Sequence, residues 1–313
     1  MEKDSDLAHE FQRAVGRPLR TRVPLRDYSS FRIGGDADYF FEASSTGDLA
    51  AALAFARGKI PCYVIGGGYN ILFADAGFRG LIIRNRAEGL SGGIEEGRVS
   101  ADSGTPIARI VQFAVAGNIG GLEFLAGIPG TAGGALSSNA GAFGQCIGDH
   151  VLEASVVDEK GQKTTLAKSG LELGYRDSRF RRKRETVLSI VLDARKGDKV
   201  ASSAKISDYL EKRREKHPPW SVASAGSFFK NPTSPDGSKI PAGRLLEDVG
   251  ARDVRIGGAS VFQGHCNFII NTGNARAGDI LQLAAELKER VKARFGILLE
   301  EEVICLGESL PGL

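Results

Sequence analysis

The segment Gly127-Ile-Pro-Gly-Thr-Ala-Gly-Gly-Ala-Leu-Ser-Ser-Asn-Ala-Gly-Ala-Phe-Gly144 constrains this chain more than any other, with glycine at 127, 130, 133, 134, 141 and 144. Without a Cβ, such a backbone reaches positive φ and lets its amides approach a partner closely. A concave run of amides binds anions such as a diphosphate. The small residues Ala132, Ala135, Ser137, Ser138 and Ala140 leave room for a flat ring against the chain. A glycine-rich Ω-loop or a barrel corner makes the same demands with no ligand at all. On this segment alone both readings stand.

The remaining composition narrows the class. A chain of 313 residues with 42% hydrophobic and 25% charged residues reads as an ordinary globular protein large enough for two or three domains. Its net charge of +3 is too mild to make nucleic acid a main partner. The charged N-terminus has no apolar run typical of a secretory signal, and no apolar stretch reaches membrane-spanning length, so the cytoplasm is expected. Cys62, Cys146, Cys266 and Cys305 are far apart and read as buried thiols. His9, His150, His217 and His265 are equally dispersed, so no metal site is expected.

Periodicity predicts a short helix and arm over 1–20, then a β-α-β start: a strand at 39–43, a helix over 47–57 capped by Ser45 or Thr46, and strands at 62–65 and 81–83. A strand at 98–101 precedes a helix opening at Thr105-Pro106 and closed by Gly117. Strands at 151–157 and 186–193, with a turn at Glu159-Lys160-Gly161, make a β-rich second part. Arg195 to Lys199 reads as a polar break, with a domain boundary near residue 200 and a charged helix over 207–216. Beyond it, helices are expected at 242–249 and 279–295, and strands at 266–271 and 302–306.

A second glycine cluster, Gly66-Gly-Gly68, ends the strand at 62–65. It is followed by Tyr69-Asn70-Ile71 rather than by a helix, so it is not the dinucleotide fingerprint. A backbone nest or a plain tight turn fits it. The basic run Arg179-Phe-Arg-Arg-Lys-Arg184 reads as a solvated turn, since it is short and lacks interleaved aromatics beyond Phe180. Gly89-Leu-Ser-Gly-Gly93 matches GxSxG, but Ile94 to Gly97 looks like a hairpin tip, so Ser91 is rejected as a nucleophile.

Taken together, Ser30-Phe-Arg-Ile-Gly-Gly35, Val64-Ile-Gly-Gly-Gly-Tyr-Asn70, Gly127 to Gly134 with Asn139-Ala-Gly141, Tyr175-Arg-Asp-Ser178, Ala225-Gly-Ser-Phe-Phe-Lys-Asn-Pro232 and Glu300-Glu-Glu-Val303 resemble the UDP-N-acetylenolpyruvoylglucosamine reductase (MurB) family, in family order. The resemblance implies an α+β fold. A two-subdomain FAD-binding unit of the vanillyl-alcohol-oxidase (PCMH) type would span 21–198, with subdomains of about 21–85 and 86–198. An α+β substrate-binding domain would follow at 205–307, its last strand returning toward the flavin. Noncovalent FAD is implied on Gly66, Gly67, Gly68, Tyr69, Asn70, Gly130, Thr131, Gly133, Gly134, Asn139 and Gly141, with NADPH as reductant.

The implied reaction reduces the enolpyruvyl group of a UDP-sugar in peptidoglycan synthesis. By motif match Arg176 would stabilise the developing negative charge, Ser227 would donate the proton and Glu302 would assist. Lys230 and Asn231 are candidates for the UDP diphosphate or sugar; a surface lysine and an Asx turn before Pro232 explain them equally well. No protein partner is required, and a monomer is expected. Tyr69 stands where the family usually has Ser, and Ser221-Val-Ala-Ser224 replaces the usual Tyr-Pro-Ser. The interval between Arg176 and Ser227 resembles the variant lacking an extra tyrosine-bearing loop. Because fold does not fix chemistry, another flavin oxidoreductase of the same fold, or a nonenzymatic anion-binding protein, is the alternative.

Overall fold

The computed structural model describes residues 2–158 and 160–307, so the turn expected at Glu159-Lys160-Gly161 lies partly outside the described residues. The chain divides into two compact units. One is built from residues up to 21, 39–67 and 80–212, the other from 22–38, 68–79 and 213 onward.

In the first unit the expected β-α-β start is present. The strand Cys62–Ile65 pairs in parallel with Phe78–Asn85, Cys62 opposite Leu81 and Ile65 opposite Arg84. Between strands lies the helix Thr46–Ala56, whose first turn is capped by Ser45 Oγ accepting from the Asp48 amide at 3.0 Å. The N-terminal helix Glu2–Val15 docks through Phe11, fully buried and edge-on to Phe41 and Phe55 with ring centroids 5.0 and 5.1 Å away.

The rest of this unit is an antiparallel five-stranded sheet ordered Lys163–Ala167, Val151–Val157, Thr186–Asp193, Arg98–Asp102, Leu90–Gly93. The GxSxG segment is therefore a hairpin strand, as expected. The helix Ile107–Ala116 buries Ile107, Ile110, Val111 and Ala114 in the core of this sheet, and Gly117 closes it.

Three expectations are corrected here. Arg195–Lys196 is a short strand paired with Ile119–Gly120, and the charged helix spans Lys199–Lys216 rather than beginning at 207. Its early start has a polar cause: Asp198 Oδ1 accepts from the Ala201 amide at 2.7 Å, and Ser202 Oγ donates to Glu123 Oε1 at 2.6 Å in a buried contact. The run 179–184 is a solvated turn only in part: Arg182, Lys183 and Arg184 are exposed, but its start is ordered and tied inward. Arg179–Arg182 is one helical turn, and Arg179 forms a two-pronged pair with Glu185, both contacts at 2.7 Å, the Glu185 side chain only 7% exposed. Of the cysteines, Cys266 and Cys305 are buried, while Cys62 and Cys146 are half-buried.

The second unit carries the antiparallel sheet Ala223–Ser224, Ile269–Asn271, Ala259–Val261, Arg255–Ile256 and the helices Ala242–Asp248 and Ala277–Phe295. Leu283, Leu287 and Val291 seat the long helix on a core that includes Phe31, Ile33, Phe228 and Phe229. Asp75 accepts from the Ala277 amide at 2.9 Å at its first turn. Two strands are shorter than expected. Residues 265–268 turn, with the Phe268 amide bonded to His265 O, so pairing starts only at Ile269. The last strand is Ile304–Leu306, parallel to Ile71–Phe73, because Glu301 pairs elsewhere.

Candidate functional site

The glycine-rich stretch lies in the first unit and is not one continuous loop. Thr131 is the N-cap of the short helix Ala132–Ser137. The Ala132 amide donates to Thr105 O at 2.9 Å and the Gly133 amide to Ser103 O at 2.8 Å, so these two N–H groups already have backbone acceptors. Gly133 is there for packing: a Cβ would sit 2.8 Å from Ser103 Cβ. Gly130, at φ 113°, is different, since a Cβ there would meet nothing within 4 Å. The second cluster reaches this loop through Gly66, where a Cβ would sit 2.4 Å from Thr131 Oγ1. The two glycine segments that the sequence pairs are thus in contact, Gly66 against Thr131, and Gly130 leaves open space beside that contact. A bare backbone with adjacent room is what a diphosphate and a flat ring require, and these residues fit a flavin nucleotide.

Asn139, 7% exposed with φ 44°, spends both ends of its side-chain amide inside the unit. Its Nδ2 donates to Gly174 O at 2.8 Å, and its Oδ1 accepts from the Gly148 amide at 3.0 Å. Its backbone amide is also spent, donating to Leu136 O at 3.0 Å, so its part is to brace the loop. Gly141 is pinned across from Cys146, in a strand pair too close for any Cβ, which would lie 2.4 Å from Gln145 O.

Gly174, held by Asn139, begins the Tyr-Arg-Asp-Ser motif. The Gly174 amide donates to Asp177 O at 2.9 Å, which leaves Tyr175 and Arg176 at the tip of a tight turn. Arg176 has φ 52°, a left-handed conformation that costs a non-glycine residue about 1 kcal/mol. Its guanidinium donates to Gly141 O at 3.0 Å. Ser178 closes the motif, fully buried and donating to Ser137 O at 2.7 Å.

Ser227 and Glu302 belong to the second unit, on two extended segments joined by an isolated bridge. Phe229 bridges Glu301 in antiparallel register; the Glu302 amide donates to Phe228 O and the Lys230 amide to Glu300 O, each at 2.8 Å. Both Ser227 and Glu302 are half-buried. Asn70, also in this unit, donates from Nδ2 to Glu302 O at 3.1 Å, and its main-chain O accepts from the Ile304 amide at 3.0 Å, so both its side chain and its backbone are tied to the segment that carries Glu302. Gly68 is buried at φ 70°, and a Cβ would strike Tyr28 O at 1.9 Å. Tyr69 is exposed, its ring edge-on to the exposed Trp220 at 6.4 Å. Lys230 pairs with Glu300 at 3.2 Å. Asn231 Oδ1 accepts from the Ala242 amide at 3.0 Å and so caps the helix Ala242–Asp248, a role that neither sequence reading anticipated.

Sequence reasoning missed two asparagines. Asn267 grips the backbone of Phe229, and Asn271 donates to Phe31 O at 2.9 Å while accepting from the Gly273 and Ala275 amides. The available signal was a carboxamide at each end of the apolar run Phe268-Ile-Ile270, where an unsatisfied polar group is costly. Among the described residues, no cluster of three His, Cys, Asp or Glu side chains could hold a metal ion, and no helix is long and apolar enough to cross a membrane.

The FAD binding domain family matches residues 37–167, and the chain is a flavin-dependent oxidoreductase with an FAD-binding part followed by an α+β domain. The C-terminal domain of UDP-N-acetylenolpyruvoylglucosamine reductase matches residues 218–306. The reductase of Moorella thermoacetica is 38% identical over 306 residues, covering 97% of this chain and 98% of the relative, and that of Geobacter metallireducens is 40% identical over 287 residues, covering 91% and 93%. The crystal structure of the Thermus caldophilus reductase superposes with a TM-score of 0.76 at 30% identity, covering 92% of this chain and 99% of that one. The chain belongs to the UDP-N-acetylenolpyruvoylglucosamine reductase family.

Proposed function

We propose that this enzyme reduces the enolpyruvyl ether of UDP-N-acetylglucosamine to UDP-N-acetylmuramate, with NADPH as the electron source. The observation that carries the reading is the bridge from Phe229 to Glu301, with its two flanking main-chain bonds, that sets the Ser227 segment beside Glu302 in the domain matching the reductase C-terminus. FAD, held by the glycine segments at Gly66 and Gly130, would supply the two-electron chemistry that couples NADPH oxidation to reduction of the substrate's double bond. The protein's own part begins there.

Hydride addition leaves negative charge on the adjacent carbon and its carboxylate. Arg176, whose guanidinium cannot be deprotonated, offers that charge a fixed cation. Ser227 Oγ then gives its proton to the carbon, forming the C–H bond, and recovers one from solvent. A serine hydroxyl is a weak acid, so only a strongly basic carbon in a site shielded from water can take its proton. Glu302 assists this protonation at the other end of the substrate. Gly66, Gly67, Gly130, Thr131 and Gly134 hold the flavin nucleotide through backbone and small side chains, with Gly133, Asn139 and Gly141 bracing those loops; Gly68, Tyr69 and Asn70 are further candidates for the same nucleotide. Lys230 and Asn231 stand close to the UDP moiety. The enzyme works as a cytoplasmic monomer without a covalent flavin link.

The test separates two half-reactions. Wild-type protein should oxidise NADPH beyond one equivalent of flavin only when the enolpyruvyl sugar is present. In Ser227→Ala, NADPH should still bleach the flavin while the sugar fails to reoxidise it, a loss of at least a hundredfold. Equal loss of both half-reactions would count against the proton-donor role.

A further inference from the structure

We propose that Asn267 is a positioning residue for proton delivery: its side chain takes the place of a missing neighbouring strand and fixes the Ser227 segment against the extended segment that bears Glu302. The inference deepens the reading that Ser227 is the proton donor and rests on it.

The segment Ser227 to Lys230 has two edges. One faces Glu300 to Glu302 through the two 2.8 Å main-chain bonds and the Phe229 bridge. On the other, among the described residues, no strand is paired to it. Instead the Phe229 amide donates to Asn267 Oδ1 at 2.9 Å, and Asn267 Nδ2 donates to Phe229 O at 2.8 Å. A carboxamide presents one acceptor and one donor side by side, the pair that an antiparallel strand would offer. Its orientation is set by its partners, because the flipped amide would face donor with donor and acceptor with acceptor. Asn267 O adds a third bond, accepting from the Phe228 amide at 2.8 Å.

Burial makes this grip consequential. Asn267 is 3% exposed, and Phe228 and Phe229 are 0% and 1% exposed, so water has no ready route to replace the amide. The clamp itself is anchored: the Asn267 amide donates to His265 Nδ1 at 3.2 Å. Ser227 follows Gly226, at φ 79°, and immediately precedes the doubly held pair Phe228-Phe229. Its Oγ position is therefore inherited from Phe229, and a displacement of about 1 Å at a reacting group costs on the order of a hundredfold in rate. Asparagine suits this position because aspartate has the same shape but, ionised, lacks the donor toward Phe229 O. Alanine lacks both groups.

The experiment uses full-length holoenzyme carrying Asn267→Asp or Asn267→Ala and follows flavin absorbance by stopped flow. Reduction by NADPH should stay within twofold of wild type, and the affinity for the enolpyruvyl sugar, read from its perturbation of the oxidised flavin spectrum, within threefold. Reoxidation of the reduced flavin by that sugar should slow at least tenfold, with a larger solvent deuterium isotope effect because proton delivery has become the limiting event. A purely structural role would lower reduction, sugar affinity and reoxidation together, and that result overturns the proposal; so does reoxidation at the wild-type rate. If neither variant retains flavin, Asn267→Ser, whose hydroxyl stops one bond short of the carboxamide groups and adds no charge, carries the same comparison. Wild-type enzyme that accepts electrons from NADPH but is not reoxidised by the sugar would remove the underlying functional reading instead, a failure visible before any variant is made.

Discussion

Gly66 and Thr131 touch: a Cβ placed on Gly66 would lie 2.4 Å from Thr131 Oγ1 and 3.3 Å from its Cγ2. Thr131 is itself 8% exposed, so its side chain has little room to withdraw. Gly66→Ala should therefore destabilise the protein by about 1–3 kcal/mol through overpacking and release flavin at a lower temperature. The diagnostic is the double variant. Thr131→Ala removes both Oγ1 and Cγ2, leaving only Cβ, 3.4 Å from the new methyl group, an ordinary contact. Gly66→Ala with Thr131→Ala should recover most of the lost stability, with a coupling of about 1–2 kcal/mol in a thermal or urea double-mutant cycle. Strict additivity would show that the two loops do not constrain each other.

Why the sequence revealed this pair but not others is a matter of which signals are local. Gly66 and Thr131 stand in clusters whose composition is abnormal in itself, so each draws notice without knowledge of the fold. The helices over Thr46–Ala56, Ile107–Ala116 and Ala277–Phe295 were legible for a similar reason, since their caps and apolar faces are written within a few turns. Asn267, Asn139 and Asn70 are not legible this way. Each bonds main-chain groups far along the chain, Asn70 reaching Glu302 across 232 positions, and an asparagine in a loop has the same local signature whether or not such a partner exists. The early start of the helix Lys199–Lys216 was missed on the same grounds, because buried Glu123 supplies the contact to Ser202 from 79 positions away. Arg176 was found by motif, but its left-handed backbone and its bond to Gly141 O follow from the turn that Asn139 braces.

Acidity should loosen the neighbourhood of Asn267 before it affects the rest of the second unit. Burial, reinforced by Arg213, His265 and Lys216, pushes the His217 imidazole down to about 4, and burial also lowers His265. Arg252 disfavours protonation of His265 further, while Glu247 opposes that trend. Both rings are held neutral in the fold, and His265 Nδ1 must be neutral to accept from Asn267. The unfolded chain binds protons on these rings near pH 6.5 and the folded chain only at lower pH, so their contribution to stability is intact above about 6.5 and is lost as pH falls toward 4. For His217, discounted for partial solvent access, the loss is on the order of 1–2 kcal/mol. Urea midpoints between pH 7.5 and 4.5 should fall in wild type and fall less steeply in His217→Gln. An unchanged slope would assign the acid sensitivity to other groups.

Arg176 offers a case in which stability and activity should part. Its φ of 52° costs an arginine about 1 kcal/mol that glycine would not incur, while its bond to Gly141 O returns a comparable amount. Arg176→Gly should therefore leave the melting temperature within a few degrees of wild type, since the relieved backbone offsets the lost hydrogen bond. Turnover should nonetheless fall by at least a hundredfold, because no other group at the turn tip carries the positive charge required when the substrate gains hydride. Arg176→Lys tests geometry apart from charge: it keeps the cation but loses the planar fork that can bond Gly141 O and a carboxylate at once, and it should recover only part of the activity. Steady-state turnover with the enolpyruvyl sugar, set beside differential scanning fluorimetry on the same samples, decides the matter. Parallel losses of melting temperature and turnover in Arg176→Gly would make this arginine a structural element of the turn rather than a contributor to the reaction.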